Sequence, residues 1–260
     1  MLYNLPPQPA GALLLCPDAI YDPETDRLLR DTAIAIEGGR IARLLPAREC
    51  PAGQCVALPG MTMIPGLIDA HVHLCLRGEE GEMQALGACS EEAMERTVRE
   101  NLRRNLRLGI TTVRDLGCPA GVMRQLRRMQ PPQAPRVVAS GPALTVPGGH
   151  AAFFGIELKR EEQIGPALDV LDTLQTDLVK IMATGGNSTP GTDLDACQFS
   201  DAFFARLVRE AHARGKKVAC HAHGLQGVWQ CIRAGADSIE HGSYMDDAAQ
   251  DAMTEVTPKS

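Results

Sequence analysis

The chain has 260 residues and a formal net charge of -6, with hydrophobic residues at 44% and charged residues at 22%. These values are ordinary for a globular protein and exclude wholesale disorder. The acidic balance and an aromatic content of 3% also argue against binding to nucleic acid or to an anionic membrane surface. The length allows one large domain, or a medium domain with a small one.

The number and the spacing of the cysteines indicate the cellular compartment of the protein. The nine cysteines are odd in number and contain no C-x-x-C pair, so we expect no disulfide framework and a cytoplasmic location. No apolar stretch is long enough to span a bilayer. The short apolar segment Gly11–Cys16 has no basic residue before it, and we interpret it as a strand rather than a secretion signal.

The first quarter of the chain has the pattern of β structure. Residues 1–10 contain three prolines and are expected to be a loose lead-in. Residues 33–36 and 41–45 are β-rich runs on either side of Gly38-Gly39, which predicts a hairpin. Residues 11–63 therefore form a small predicted β domain.

From Met63 onward, apolar strands alternate with amphipathic helices, which predicts βαβ units around a parallel sheet. A closed barrel of this kind needs eight strands. Residues 64–260 hold only about six such units, so the predicted fold class is α/β, an incomplete TIM-type barrel. The predicted strands end near residues 70, 113, 139, 182, 220 and 240, and the predicted helices cover Ser90–Leu108, Gly121–Met129, Glu161–Thr173, Asp201–Arg214, Leu225–Ala234 and Asp246–Ala252.

The first candidate site is His71-Val72-His73, at the end of the first predicted parallel strand. Residues two apart on a strand point to the same face. Both imidazoles are therefore directed to one point, as a metal ion requires. The alternative is a pair of histidines on a surface turn.

The second candidate is Lys180, inside the apolar segment Val179–Gly186. A lysine in such a strand is costly unless it has a task. The side chain is expected to be a Schiff-base nucleophile or to be modified into a metal-binding anion. Alternatively, its ammonium group reaches water past the end of the strand.

The remaining candidates are His221 and His223, which repeat the same spacing, and His241. Five of the seven histidines follow predicted strands, at the edge where barrel enzymes carry their active sites. Imidazole nitrogen together with anionic oxygen is a ligand set that suits Zn²⁺ and related divalent ions.

These motifs resemble those of the amidohydrolase superfamily of metal-dependent hydrolases, and most closely its imidazolonepropionase-like and Xaa-Pro dipeptidase-like branch. The resemblance implies a TIM-type barrel with a composite β-sandwich. It also implies cleavage of an amide or peptide C–N bond in a dipeptide, an N-acyl amino acid or a cyclic amide. The segments that carry it are Pro65–Leu74, Val179–Gly186, Cys220–Gly224 and Ile239–Gly242.

The resemblance also implies roles for individual residues. His71 and His73 would bind the more buried of two divalent ions, expected to be Zn²⁺. Lys180 would be carboxylated and would bridge both ions, and His221 and His241 would bind the second. A hydroxide bridging the ions would attack the carbonyl.

Two further histidines are assigned to the substrate by the same resemblance. His150 would contact it from the loop after the third strand, unless it is a loop histidine without a role. His223 would meet a substrate carboxylate. Asp115 is expected to be structural and paired with Arg114.

The sequence departs from the family pattern after its sixth strand. The family's eighth strand carries a metal-binding aspartate that shuttles protons, and no residue here is assigned to it. Asp246, Asp247 and Asp251 are on a different segment. The expectation is therefore a fragment, a truncated reading frame or a decayed copy, in which exposed sheet edges favour association between copies.

Three alternatives compete with the hydrolase. A non-catalytic remnant that binds metal or a partner chain would have the same motifs. A Schiff-base lyase would use Lys180, but it leaves the histidines at the strand ends without a role. A dinucleotide-binding fold is disfavoured because no G-x-G-x-x-G follows the first parallel strand.

Overall fold

A computed structural model of the protein describes residues 13–51, 55–79, 81–128 and 134–256. The chain divides into two compact units, residues 1–67 and residues 68–260. The predicted lead-in and the predicted helix end at Met129 lie outside the described residues. Each unit is considered by itself.

The first unit is a five-stranded sheet whose central strand pairs with three others. Strand β1 runs antiparallel to β2 and β3 and parallel to β5, and β4 extends the sheet beyond β3. The predicted hairpin is present as β3 and β4, and its turn residues Gly38 and Gly39 have φ values of 57° and 74°, a conformation that favours glycine. The strands are β1 (Leu13–Asp22), β2 (Arg27–Leu29), β3 (Thr32–Glu37), β4 (Arg40–Pro46) and β5 (Cys55–Met63).

One expectation about the cysteines is wrong in this sheet. Cys16 on β1 and Cys55 at the start of β5 form a disulfide. The two strands are parallel neighbours, and this pairing brings their Cα atoms to 6.3 Å, a separation that a disulfide spans. The bond could not be anticipated from spacing, because the two cysteines are 39 residues apart in sequence.

The second unit alternates strands and helices, as predicted. Its strands are β6 (Leu67–Val72), β7 (Ile110–Asp115), β8 (Arg136–Ala139), β9 (Leu144–Thr145), β10 (Ile156–Glu157), β11 (Leu178–Met182), β12 (Lys217–Ala222) and β13 (Ser238–His241). Its α-helices are α1 (Glu82–Ala85), α2 (Glu91–Arg107), α3 (Ala120–Arg128), α4 (Ile164–Thr173), α5 (Asp201–Ala213), α6 (Leu225–Ala234) and α7 (Asp247–Val256).

The strands of this unit form two parallel arrays. One has the order β6-β7-β8 and the other the order β10-β9-β11-β12-β13. The six predicted strands correspond to β6, β7, β8, β11, β12 and β13. The short strands β9 and β10 were not predicted. Every residue of β11 is buried, as expected for a strand covered on both faces.

The helices begin and end where the sequence places polar caps and glycine. The Ser90 hydroxyl accepts a hydrogen bond from the Ala93 backbone at the start of α2, and Ser200 caps α5 in the same way. Gly235 ends α6 in the left-handed conformation, which favours glycine. The predicted helix from Glu161 instead opens with a 3₁₀ turn at Glu161–Gln163, and α7 extends further than predicted. In the described part of the chain, no helix is both long and apolar enough to cross a membrane.

The helices cover the two arrays with separate apolar clusters. One cluster packs α2 and α3 on β7 and β8, with Val98, Val113 and Met123 fully buried. The other packs α4, α5 and α6 on β11 and β12, with Ile181 and Phe204 fully buried. These clusters fix the positions of the strand ends that carry the candidate site.

Candidate metal-dependent active site

The predicted histidines lie together at the carboxyl ends of β6, β12 and β13. His221 on β12 is in register with Met182 on β11 and with Glu240 on β13. The ring of His71 lies 5.4 Å from that of His73 and 5.0 Å from that of His241, measured between ring centroids. Parallel pairing therefore aligns the ends of β11, β12 and β13, and His71, which is 170 positions before His241 in the chain, meets it from the other array.

A tighter group lies within this cluster. One ring nitrogen from each of His221, His223 and His241 lies within 4.8 Å of the others. This spacing suits ligands of one metal ion, and His223, which the sequence assigned to the substrate, is part of the group. His241 has a φ of 72°, an uncommon conformation for a residue other than glycine that is concentrated at functional sites.

Lys180 faces the same cavity from β11. Its side chain is 1% exposed, and its Nζ atom has no hydrogen-bond partner among the described residues. Burial lowers the pKa of this amine to about 8. A buried amine without a partner costs free energy, so this position fits a group that gains a partner by modification or by binding an ion.

Hydrogen bonds set the orientation of the imidazoles on β6. His73 Nδ1 donates to the backbone carbonyl of Gly117 over 2.9 Å, and His71 Nδ1 lies 3.0 Å from Glu240 Oε2. In both residues the Nε2 atom is left available. A metal-binding histidine characteristically has its second nitrogen held by a carboxylate or a carbonyl in this way.

The electrostatic environment keeps His73, His221 and His241 neutral at pH 7. Burial lowers the pKa of His73 and His241 to about 4 and that of His221 to about 2, with neighbouring His and Lys charges adding to the effect. Only a neutral imidazole has a lone pair for a cation. The donor set of neutral imidazoles and a buried amine therefore fits divalent metal ions.

His150 reaches the cluster from the loop after β9, and its ring centroid lies 4.3 Å from that of His221. Its Nδ1 atom is 3.0 Å from the Thr189 hydroxyl, and its backbone amide donates to Gln198 Oε1 over 2.6 Å. Burial lowers the pKa of its ring to about 4. A loop histidine held this firmly is positioned to act on a bound molecule as a neutral group.

All seven site residues predicted from the sequence line one cavity of about 370 Å³. Their individual roles remain predictions. The cavity is completed by residues that sequence analysis did not single out: Ala151, Phe153, Phe154, Met182, Asn187 and Ser188.

The predicted pairing of Asp115 with Arg114 is wrong. Arg114 Nη2 donates to Glu240 Oε1 over 2.8 Å, and its Nε donates to a backbone carbonyl of β6. Asp115 is fully buried and accepts backbone hydrogen bonds from Leu74 and Gly117. Successive strand residues point to opposite faces, so adjacent residues on β7 have different partners.

Glu240 contacts His71 and Arg114 beside the cavity, and the sequence analysis assigned it no role. It immediately precedes His241, and it is 7% exposed. An acidic residue in a predicted strand is rarely buried without a partner, and this was the signal available in the sequence. The aspartates near the end of the chain lie elsewhere: Asp246 accepts a hydrogen bond from the backbone of Ala249, at the start of α7.

The sequence of this chain matches a known protein family. Residues 62–257 match the Amidohydrolase family. The chain belongs to the amidohydrolase family. Members of this family are hydrolases that act on carbon–nitrogen bonds and generally use divalent metals.

Curated relatives and solved structures agree with this assignment. An uncharacterised protein of Mycobacterium bovis is 31% identical over 219 residues, which cover 84% of this chain and 54% of the relative. An imidazolonepropionase of Cupriavidus pinatubonensis is 26% identical, covering 95% of this chain and 64% of that enzyme. The chain thus spans between half and two thirds of the length of these relatives.

A solved structure shows the same fold. A prolidase crystallised with N-methylphosphonate-L-proline superposes with a TM-score of 0.84 at 25% identity, over 95% of this chain and 64% of the prolidase. The amidohydrolase fold expected from the histidine motifs is therefore confirmed.

Proposed function

We propose that this protein is a metal-dependent hydrolase that cleaves the amide bond of a dipeptide or an N-acyl amino acid. The observation that carries the proposal is the convergence of six histidines and one buried lysine on a single cavity. No simpler structural role accounts for so many imidazoles around an amine without a partner. The similarity to a prolidase with a bound proline phosphonate supports the substrate class.

The residues would hold two divalent ions, for which Zn²⁺ is the leading candidate. His71 and His73 would bind one ion, and His221 and His241 the other. When bound, such ions polarise a carbonyl group and lower the pKa of water, so that hydrolysis proceeds near neutral pH. The proximity of His223 to His221 and His241 makes it a further candidate ligand for the second ion.

Lys180 would act as a carbamate. A pKa of about 8 leaves a fraction of the amine neutral at pH 7, and the neutral amine is the form that attacks carbon dioxide. The nitrogen forms a bond to carbon and loses a proton, which leaves one negative charge shared by two oxygens. The buried amine would thereby be replaced by an anionic group whose charge would complement that of the cations.

The cavity itself supports a small amide substrate. Its volume of about 370 Å³ lies in the range of pockets for small ligands. Phe153 and Phe154 offer an apolar wall for a side chain or a proline ring, and Asn187 and Ser188 offer polar contacts. His150 would orient the substrate through its Nε2 atom, because Nδ1 already contacts Thr189.

The test begins with the full chain stripped of metal by a chelator and then loaded with Zn²⁺, Mn²⁺ or Co²⁺ in bicarbonate buffer. It is assayed by amine release from a panel of Xaa-Pro dipeptides, N-acyl amino acids and cyclic amides. The proposal predicts metal-dependent hydrolysis that His73→Asn and Lys180→Met abolish. Lys216→Met is the matched control, since its Nζ contacts Asp172 and the Thr176 carbonyl, away from the cavity.

Two results would contradict the proposal. One is hydrolysis that survives both substitutions. The other is a wild-type chain that binds two ions and hydrolyses no member of the panel, which would favour the non-catalytic alternative.

A further inference from the structure

A second group of potential metal ligands lies in the first unit, among residues that the proposed hydrolase does not use. Cys16 is on β1, Cys55 opens β5, and Cys50 directly follows the 3₁₀ turn at Ala47–Glu49. Their three Sγ atoms all lie within 4.8 Å of one another. The pairing of β1 with β5 and the turn after β4 bring together sulfurs that are far apart in sequence.

The third thiol distinguishes this group from an ordinary disulfide. Cys16 and Cys55 are bonded, whereas Cys50 is a free thiol whose sulfur lies 3.8 Å from that of Cys16. A structural disulfide needs no third sulfur beside it. The three side chains are also half-buried, which leaves the group reachable by an ion from solvent.

The distances suit a thiolate-bound cation. In tetrahedral coordination with metal–sulfur bonds of about 2.3 Å, neighbouring sulfurs are about 3.8 Å apart. The Cys16–Cys50 distance already has this value. The Cα separation of 6.3 Å between Cys16 and Cys55 spans a disulfide, and their side chains can also rotate apart to share an ion.

We propose that Cys16, Cys50 and Cys55 bind a single thiophilic cation, such as Zn²⁺ or Cu⁺, when the Cys16–Cys55 disulfide is reduced. The disulfide-bonded form and the metal-bound form exclude one another, because the disulfide joins two of the three sulfur ligands. This site requires none of the histidines of the second unit, and its existence does not depend on the proposed hydrolase activity.

Conversion to the metal-binding form is a two-electron reduction. A trialkylphosphine attacks one sulfur and is oxidised to the phosphine oxide with an oxygen from water, and the two cysteines leave as thiols. Binding of the cation then displaces the thiol protons. A phosphine is the suitable reductant because, unlike a dithiol, it offers no competing thiolates.

Three of the other cysteines are poor competitors for the same ion. Burial raises the pKa of the Cys75, Cys118 and Cys220 thiols, which keeps them protonated. Cys89 is exposed and belongs to the second unit. It therefore provides a matched control for substitution.

The experiment titrates Co²⁺ into the full chain with the disulfide intact and after phosphine reduction. The readout is the thiolate-to-cobalt charge-transfer absorption in the near ultraviolet, which imidazole and oxygen ligands do not give. We expect the band only in the reduced chain, with the final intensity of a single thiolate-bound Co²⁺ per chain, and we expect Zn²⁺ to bleach it. Cys50→Ser should weaken the band and raise the half-saturating Co²⁺ concentration by about tenfold or more, whereas Cys89→Ser should change neither.

The proposal is overturned if the reduced wild-type chain shows no band. It is also overturned if Cys50→Ser binds like wild type, or if the oxidised and reduced chains give the same band. The comparison of redox states uses the wild-type chain alone, so it decides the matter even if Cys50→Ser fails to fold.

Discussion

Glu240 Oε2 lies 3.0 Å from His71 Nδ1, across the site from β13 to β6. The other carboxylate oxygen of Glu240 accepts from Arg114 over 2.8 Å. Burial opposes ionisation, but the His71 hydrogen bond and the Lys180 and Arg114 charges outweigh it and lower the pKa of Glu240 to about 2. The carboxylate is therefore ionised at pH 7 and holds His71 with its Nε2 atom available.

Replacing this carboxylate should weaken metal binding at the histidines. In Glu240→Gln the amide still accepts a hydrogen bond but supplies no negative charge to His71. We expect affinity for Zn²⁺ to fall by about 10- to 100-fold, measured by competition with a chromophoric chelator. Glu210→Gln, which removes a carboxylate paired with Arg206 away from the cavity, is the control, and equal affinities of the two variants would contradict the prediction.

Removing the Lys180 amine should raise the free energy of unfolding, although the same substitution is expected to abolish hydrolysis. In chelated protein, Lys180→Met replaces an amine without a partner by an apolar group of similar length, so the free energy of unfolding should rise by about 1–3 kcal/mol. Lys216→Met should lower it, because this amine donates to the Thr176 carbonyl. Urea denaturation measures both variants. A less stable Lys180→Met would mean that the amine has a stabilising partner in the folded chain.

Much of the fold was predictable because local sequence patterns, such as apolar runs and terminal glycines, determine where its elements begin and end. The boundaries of β8 and β11 are those expected from apolar runs, and α6 ends at the glycine expected to close it. The strands β9 and β10 have two residues each, which is too short to produce a periodic signal. The Cys16–Cys55 bond depends on which strands pair, and this is a long-range property that spacing does not reveal.

The site residues that could be predicted most readily are the histidines that occur two apart in sequence and the lysine that lies in an apolar strand. His71, His73 and Lys180 stand out because the chemistry of each is unusual for its position. Glu240 and Arg114 gain their roles through contacts across the unit, more than 100 residues apart in sequence. Such partners become visible only once the strand order is known.

Asp115→Asn should destabilise the fold, and most strongly in acid. Asp115 accepts from the backbone amides of Leu74 and Gly117 through separate oxygens. Asparagine has a single acceptor oxygen, so one buried amide loses its partner at a cost of about 1–3 kcal/mol. The loss would also loosen the segment that holds His73.

The pH dependence follows from the pKa of this carboxyl, which burial raises from 3.8 to about 6. Between these values the folded state binds more protons than the unfolded state. The stabilising contribution of Asp115 is therefore complete below pH 3.8 and is lost as the pH rises through 6. The difference in unfolding free energy between wild type and Asp115→Asn should thus be larger at pH 4 than at pH 7. Asp169→Asn, at an exposed carboxylate, is measured as the control, and a constant difference for Asp115→Asn would refute the assignment.

Gly186→Ala tests whether His150 must occupy its observed position. A Cβ atom at Gly186 would lie within 2.7 Å of three atoms of the His150 ring. The ring cannot move aside without losing its contact with Thr189, since its backbone is also held by Gln198.

We therefore expect Gly186→Ala to lower kcat/KM for the best substrate of the panel by about 10- to 100-fold, because a shift of about 1 Å in a positioning group has effects of this size. Gly165→Ala is the matched control, since a Cβ atom at this position in α4 meets nothing within 4 Å and should stabilise the helix by about 0.4–1 kcal/mol. Steady-state kinetics and urea denaturation are measured for both variants. If Gly186→Ala kept wild-type kcat/KM while folding normally, His150 would have no part in positioning the substrate.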